Sequence, residues 1–144
     1  MHLMHVLNRG ADKRKIFMDD EDRFRFVHDL FEFNDEERVK VYSDTYSDLR
    51  GRGDLGGRNI DFARSEKRER KLLVDIHAFV LMPNHYHLLL SERVENGISR
   101  FMQKVNAGYT KYFNCKNERV GVLLQGKYKS VSVDEEAHFI HLPY

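Results

Sequence analysis

Two β-prone runs meet at Pro83-Asn84, and this arrangement restricts the chain more than any other feature. Leu72 to Met82 reads as one strand, Pro83-Asn84 as the turn, and His85 to Ser91 as the strand returning from it. Leu72 to Ser91 therefore predicts an antiparallel hairpin in the middle of the domain. Regular alternation puts Ile76, Ala78, Val80 and Met82 on one face of the first strand and Asp75, His77 and Phe79 on the other.

The flanks supply the rest of a fold. His2 to Leu7 predicts an opening strand, ended by Asn8-Arg9-Gly10. A helix capped at Asp19 or Asp20 follows, with Phe24, Val27, Leu30 and Phe31 as its buried stripe up to Phe33. After the hairpin, Ile98, Phe101, Met102, Val105, Tyr109, Tyr112 and Phe113 recur at helical spacing behind a cap at Asn96 or Ser99, with Gly108 weakening the helix but not its pattern. Asn114 to Gly121 is a polar connection, Tyr128 to Val133 a short strand, and Glu135 the start of a final helix. The order defines an α+β class: a ferredoxin-like βαββαβ antiparallel sheet with helices on one face, plus a C-terminal helix. The other sheet face is expected to stay open and to carry the chemistry.

Length and composition fit one domain over residues 1–144: 144 residues with 41% apolar content support a single core. Residues Asn34 to Arg70 break the pattern, with charges throughout and glycines at 51, 53, 56 and 57, and are expected to form a flexible insertion. Cys115 is the only cysteine, which excludes a disulfide framework and a multi-cysteine zinc site and suits a reducing cytoplasm. The longest strongly apolar run, Ile76 to Met82, is far shorter than the ~20 residues of a membrane helix, and no export signal is present. A cytoplasmic protein without a membrane partner is expected.

His85 and His87 fall on one side of a strand while Tyr86 points to the other. Imidazoles so placed either remain partly exposed sheet residues or share one metal ion, which would polarise a phosphodiester as a Lewis acid. His77 stands nearby on the partner strand; His2, His5, His28, His138 and His141 are scattered, and none of them is assigned to metal.

The run from Leu81 to Leu90, with His85-Tyr86-His87 at its centre, resembles the histidine-hydrophobic-histidine (HUH) signature of the single-tyrosine transposases. This is the insertion sequence 200-like family, particularly its branch associated with repetitive extragenic palindromes. His5-Val6-Leu7-Asn8-Arg9-Gly10 with Lys15-Ile16-Phe17 is similar to that family's first strand and loop. Gly121 to Ser130 is similar to its G-x-L-x-Q-x-R-Y-K-S segment. The likeness spans most of the chain outside Asn34 to Arg70, and several matches in order are far more specific than any one.

The resemblance implies metal-dependent nicking and rejoining of single-stranded DNA, with His85 and His87 binding Mg²⁺ or Mn²⁺. A tyrosine on the last helix would attack the phosphate and form a 5′-phosphotyrosine. In the family that tyrosine opens a Y-I-H-L-N-P motif, whose asparagine can complete the metal site. Here the chain stops at Leu142-Pro143-Tyr144, and the rest of that motif is expected to be missing. A gapless count from Tyr128-Lys129-Ser130 puts the nucleophile one position after Tyr144; a one-residue gap makes it Tyr144 itself. Tyr109 and Tyr112 continue the apolar stripe of their helix and are read as packing residues.

Between Ile98 and Ser130 seven basic residues face the single acid Glu118, although the whole chain carries a formal charge of only +1. Arg9, Lys104, Lys111, Gln125, Lys127 and Lys129 are the candidate contacts to single-stranded or hairpin DNA, with aromatics available for stacking. A monomer or a homodimer is expected, the dimer only as a possibility that the resemblance implies. Three other readings differ in what they require. A catalytically impaired or domesticated relative would bind hairpin DNA without cutting it. An RNA-recognition module would need an aromatic-rich strand that is not here. A plain metal hydrolase would leave no protein–DNA adduct.

Overall fold

The computed structural model describes residues 2–37 and 69–133. The interior of the expected insertion, the final helix expected from Glu135, and Tyr144 lie outside the described residues. The elements run β1 (Leu3–Arg9), a 3₁₀ turn at Ala11–Lys13, α1 (Asp20–Glu32), β2 (Val74–Met82), β3 (His85–Glu92), α2 (Gly97–Lys116) and β4 (Lys129–Ser132). The sheet order is β2-β3-β1-β4, and every neighbouring pair is antiparallel. This is the predicted ferredoxin-like topology, with β1 and β3 as its central pair.

One sheet face is covered. Val6, Tyr86, Leu88 and Leu90 meet Phe26 and Leu30 of α1 and Phe101, Met102, Val105 and Tyr109 of α2 in a single core. Ile16 and Phe17, in the segment after β1, complete it from the end of the sheet. Phe26 is its centre, in ring contact with Phe17, Tyr86 and Tyr109. Burial of this kind contributes roughly 1.5–3 kcal/mol per large apolar side chain and dominates the stability of the fold.

Four local expectations need correction. Helix α1 does not bury Phe24, Val27 and Phe31, which are 75%, 37% and 60% exposed. It turns Asp22, Phe26, Asp29 and Leu30 inward instead. Periodicity alone favours the apolar set, but Asp22 has partners inside: its carboxylate accepts from the Met18 amide, the Tyr112 hydroxyl and Lys116 Nζ, at 2.8–2.9 Å. A buried carboxylate so satisfied can occupy the interface between two helices.

The second correction concerns β2. A bulge between Ile76 and Ala78 breaks its alternation, so Ile76 pairs with Leu90 on the covered face while Ala78, Val80 and Met82 pair with Leu89, His87 and His85 on the open one. The third is the start of α2. Asn96 occupies the cap position in the left-handed region, φ 56°, but makes no side-chain cap. Glu92 does so, accepting from the Gly97 amide at 2.9 Å. The strand β1 also continues through Asn8 and Arg9, which were expected to turn.

Asn34, expected at the edge of an insertion, belongs to the packed domain. Asn34 is buried, and its Oδ1 accepts from the amides of Leu73 and Val74 at 3.0 and 3.1 Å while its Nδ2 donates to the Val74 carbonyl at 2.9 Å. Glu36 N donates to the Lys71 carbonyl beside it. The chain thus leaves and re-enters the domain at one stapled point.

Candidate metal centre on the open sheet face

Register fixes what the open face presents. Met82, His85 and Arg9 form one row across β2, β3 and β1; Val80, His87, Leu7 and Lys129 form the next across all four strands. His85 and His87 are two residues apart on β3, their ring centroids 5.1 Å apart and their planes nearly perpendicular. Two imidazoles at this separation can share one ion.

The turn that carries His85 is held from below. Gly10 N donates to the Asn84 carbonyl, and the amides of Ile16 and Phe17 both donate to the Pro83 carbonyl, at 2.8–3.1 Å. Asn84 Nδ2 reaches the Lys13 carbonyl at 3.4 Å, which turns Asn84 Oδ1 towards His85 Nδ1 at 2.8 Å. An amide oxygen only accepts, so His85 carries its proton on Nδ1 and presents the Nε2 lone pair.

His87 is engaged at the corresponding atom. Its Nδ1 lies 2.8 Å from Nε2 of His5, on the neighbouring strand β1. The ring planes are 11° apart and the centroids 5.0 Å apart, a distance that leaves little more than the two ring radii beyond the N···N contact. The rings therefore meet edge to edge in nearly one plane, with the hydrogen bond along the lone-pair direction. Burial lowers the pKa of both His5 and His87, and the neighbouring imidazoles His5 and His85 lower that of His87 further. Both rings are held towards the neutral form, which is the form that ligates.

Among the described residues no third His, Cys, Asp or Glu joins the pair in a metal-binding cluster. His77 is elsewhere, bonded to Ser91 Oγ at 2.8 Å near the bulge. Two nitrogen donors leave most of a divalent ion's shell to water and substrate oxygens, a donor mixture that suits a catalytic ion better than a structural one.

Of the expected DNA contacts, the fold brings together Arg9, Gln125 and Lys129 around the histidines. Arg9 Nε donates to Gln125 Oε1 at 2.5 Å, and Gln125 N donates to the Arg9 carbonyl. Lys127 is exposed close by, its ammonium 5.6 Å from the Tyr128 ring centroid. Lys104 and Lys111 are on α2, in the helical layer that covers the opposite sheet face. Lys104 Nζ donates there to the carbonyls of Asp35 and Glu37.

Three of the described tyrosines are poor nucleophiles. Tyr86, Tyr109 and Tyr112 are buried, with hydroxyls donated to Asn106, the Ile16 carbonyl and Asp22. Burial raises all three phenols above the ordinary range, aided at Tyr112 by the Asp22 carboxylate. Tyr109 and Tyr112 are packing residues, as their spacing suggests.

Sequence reasoning passed over His5 and read Asn84 only as a turn residue. Strand parity held the signal for His5: residues 5, 7 and 9 share a face, and an antiparallel neighbour of the hairpin would bring that face beside His85 and His87.

A ferredoxin-like domain with a histidine pair on its bare sheet face is the class that fold and site define. The family description "Transposase IS200 like" matches residues 64–142, more than half of the sequence, and the chain belongs to that family. The fold is similar to that of a Deinococcus radiodurans R1 protein described as a transposase, with TM-score 0.53 and 12% identity over 97% of this chain and 85% of that one. A REP-associated tyrosine transposase bound to a REP hairpin gives TM-score 0.49 and 13% identity over 97% of this chain and 61% of that one. No curated protein matches. Among the described residues no helix is long and apolar enough to cross a membrane.

Proposed function

We propose that this chain is the nuclease domain of a DNA transposase that nicks and rejoins single-stranded DNA through a 5′-phosphotyrosine. The observation that carries the reading is that His85 and His87, side by side on one face of β3, are both engaged by the protein at Nδ1, which leaves the Nε2 of each for a metal. Mg²⁺ or Mn²⁺ bound by these nitrogens would withdraw charge from the scissile phosphate and stabilise the charge developing on it.

The remaining work falls to the chain. Arg9, fixed by Gln125 beside His85, supplies guanidinium N–H groups to a phosphate oxygen. Lys129, two strands from His87 in the same row, holds a neighbouring phosphate of the strand. In the covalent step a tyrosine oxygen gives up its proton and bonds to phosphorus. The P–O3′ bond breaks, and the departing oxygen takes a proton to become a 3′-hydroxyl. Attack by a 3′-hydroxyl in the reverse sense restores the phosphodiester and frees the tyrosine, so no nucleotide is consumed. Membership in a transposase family and the cationic residues around the histidine pair support DNA as the substrate.

The test is incubation of the 144-residue chain with Mn²⁺ and a labelled single-stranded hairpin DNA, followed by a denaturing gel. An adduct that disappears in His85→Ala, with peptide mass locating it at Tyr144, supports the reading. Hairpin binding without an adduct would instead identify a relative that binds but does not cut. Cut DNA with no adduct at any time would identify a hydrolase.

A further inference from the structure

The His5–His87 contact joins two buried or half-buried rings across two strands, and the DNA chemistry proposed above does not itself require it. His5 is 8% exposed, and its Nδ1 has no hydrogen-bond partner. Its Nε2 is spent on His87 and is not offered to a metal. A second imidazole, brought in-plane against the non-ligating nitrogen of the first, resembles in its chemistry the outer partners that fix metal-bound histidines.

We infer that His5 is a positioning residue for the metal site, accepting the His87 Nδ1 proton and thereby holding the His87 Nε2 lone pair on the open face. This rests on the reading of His85 and His87 as ligands. The two histidines are then oriented by different devices, an amide oxygen one residue away for His85 and an imidazole from another strand for His87. Asn84 can only accept, whereas His5 can accept or donate. In the absence of metal, the pair can place its shared proton on either ring. Ligation through His87 Nε2 admits one arrangement: His87 protonated on Nδ1, His5 accepting through Nε2 and carrying its own proton on Nδ1. Metal binding therefore selects a tautomer of a residue that never touches the metal.

Three proteins and two readouts test this. Mn²⁺ affinity is measured by the electron paramagnetic resonance of free Mn²⁺ for the wild-type chain, His5→Leu and His5→Gln, with the thermal midpoint of each recorded. His5→Leu removes the acceptor and is expected to weaken Mn²⁺ binding about 10- to 100-fold. His5→Gln returns an acceptor oxygen and is expected to recover most of that loss. Equal affinities in wild type and His5→Leu would overturn the inference while leaving the metal reading intact. So would equal weakening in both variants. A wild-type chain that binds no Mn²⁺ would overturn the metal reading and the inference with it. Nitrogen-15 spectra of the wild-type histidines, taken with Zn²⁺ as a diamagnetic probe, give an answer that does not depend on any variant folding. The expected spectrum shows both His5 and His87 protonated on Nδ1, and a proton on Nε2 of either ring would overturn the inference.

Discussion

Arg9 and His85 are register partners on the open face of the sheet, and the Arg9 side chain is held there by Gln125 through a single Nε–H···Oε1 bond of 2.5 Å. Both terminal nitrogens of the guanidinium stay uncommitted among the described residues. A planar cation oriented by one edge, with its other edge free beside the candidate metal site, is suited to a phosphate oxygen.

Arg9→Ala is therefore expected to slow adduct formation about 10²-fold, the usual scale for losing one preorganised donor to a developing negative charge. Arg9→Lys should recover little, because an ammonium cannot bond Gln125 and phosphate in the same plane. Gln125→Ala should cost less than Arg9→Ala. Single-turnover gels with the hairpin substrate measure all three, and a fully active Arg9→Lys would rule out the oriented-fork explanation.

The two groups of lysines should separate in DNA binding. Lys129→Ala removes a charge from the row that contains His87, and is expected to weaken single-strand binding and to flatten its salt dependence by about one charge. Lys111→Ala, on the opposite layer, should change neither. Fluorescence anisotropy across a salt series decides. Equal effects at both positions would mean that DNA wraps the helical layer as well.

Asp29 provides a stability test that is independent of function. It is fully buried, pairs with Arg25 at 3.2 Å, and leaves Oδ2 without a partner. Burial, partly offset by Arg25, pushes its pKa up to about 6 from the ordinary 3.8. The folded state thus holds a proton that the unfolded state has already released. The stability this confers is full below about pH 4 and is lost as pH rises to about 6. Asp29→Asn should remove this slope and stabilise the protein at pH 7 by up to about 3 kcal/mol. Urea melts from pH 4 to 7.5 on both proteins report it. Identical pH profiles would refute the assignment.

Glycines at the two ends of one packing problem should respond differently. A Cβ on Gly97 would collide with the Leu73 carbonyl oxygen, which is backbone and also accepts from the Arg93 amide. The nearest atoms to a Cβ on Gly108 belong to the Phe33 ring, a side chain that can turn aside. Gly97→Ala is expected to cost about 1–3 kcal/mol through overpacking. At Gly108 the helix propensity gained by alanine, about 1 kcal/mol, offsets much of the strain. Thermal melts that rank Gly108→Ala below Gly97→Ala would contradict this.

The hairpin and the order of elements were legible because Pro83-Asn84 and the periods on either side of it depend on local geometry. His85 and His87 were legible for the same reason: residues two apart on a strand share a face whatever the tertiary context. The inward face of α1 was not legible. Asp22 becomes an acceptable core residue only once Tyr112 and Lys116 are brought to it, across some ninety residues of sequence, while Asp29 is paired within its own helix by Arg25 but turns inward with Asp22. The bulge at Ile76 and Ala78 was hidden similarly, since alternation continues through it in the sequence while the partner strand gives it away. His5 required knowing which strand lies beside β3, and Asn84 required the Lys13 carbonyl to turn its amide. Tyr144 lies outside the described residues, so its assignment stands on the family motif.

Asn34→Ala would strip acceptors and a donor from three buried backbone groups, and a loss of about 2–4 kcal/mol is expected in urea melts. A cost under about 1 kcal/mol would show that water replaces the amide. That staple also has a meaning for the sheet. With its exit and return fastened to each other, the sheet takes its register from bonds made on the near side of Glu37 and the far side of Glu69. The domain is closed at its own rim, so the strands that carry His85 and His87 are registered entirely by bonds made within it.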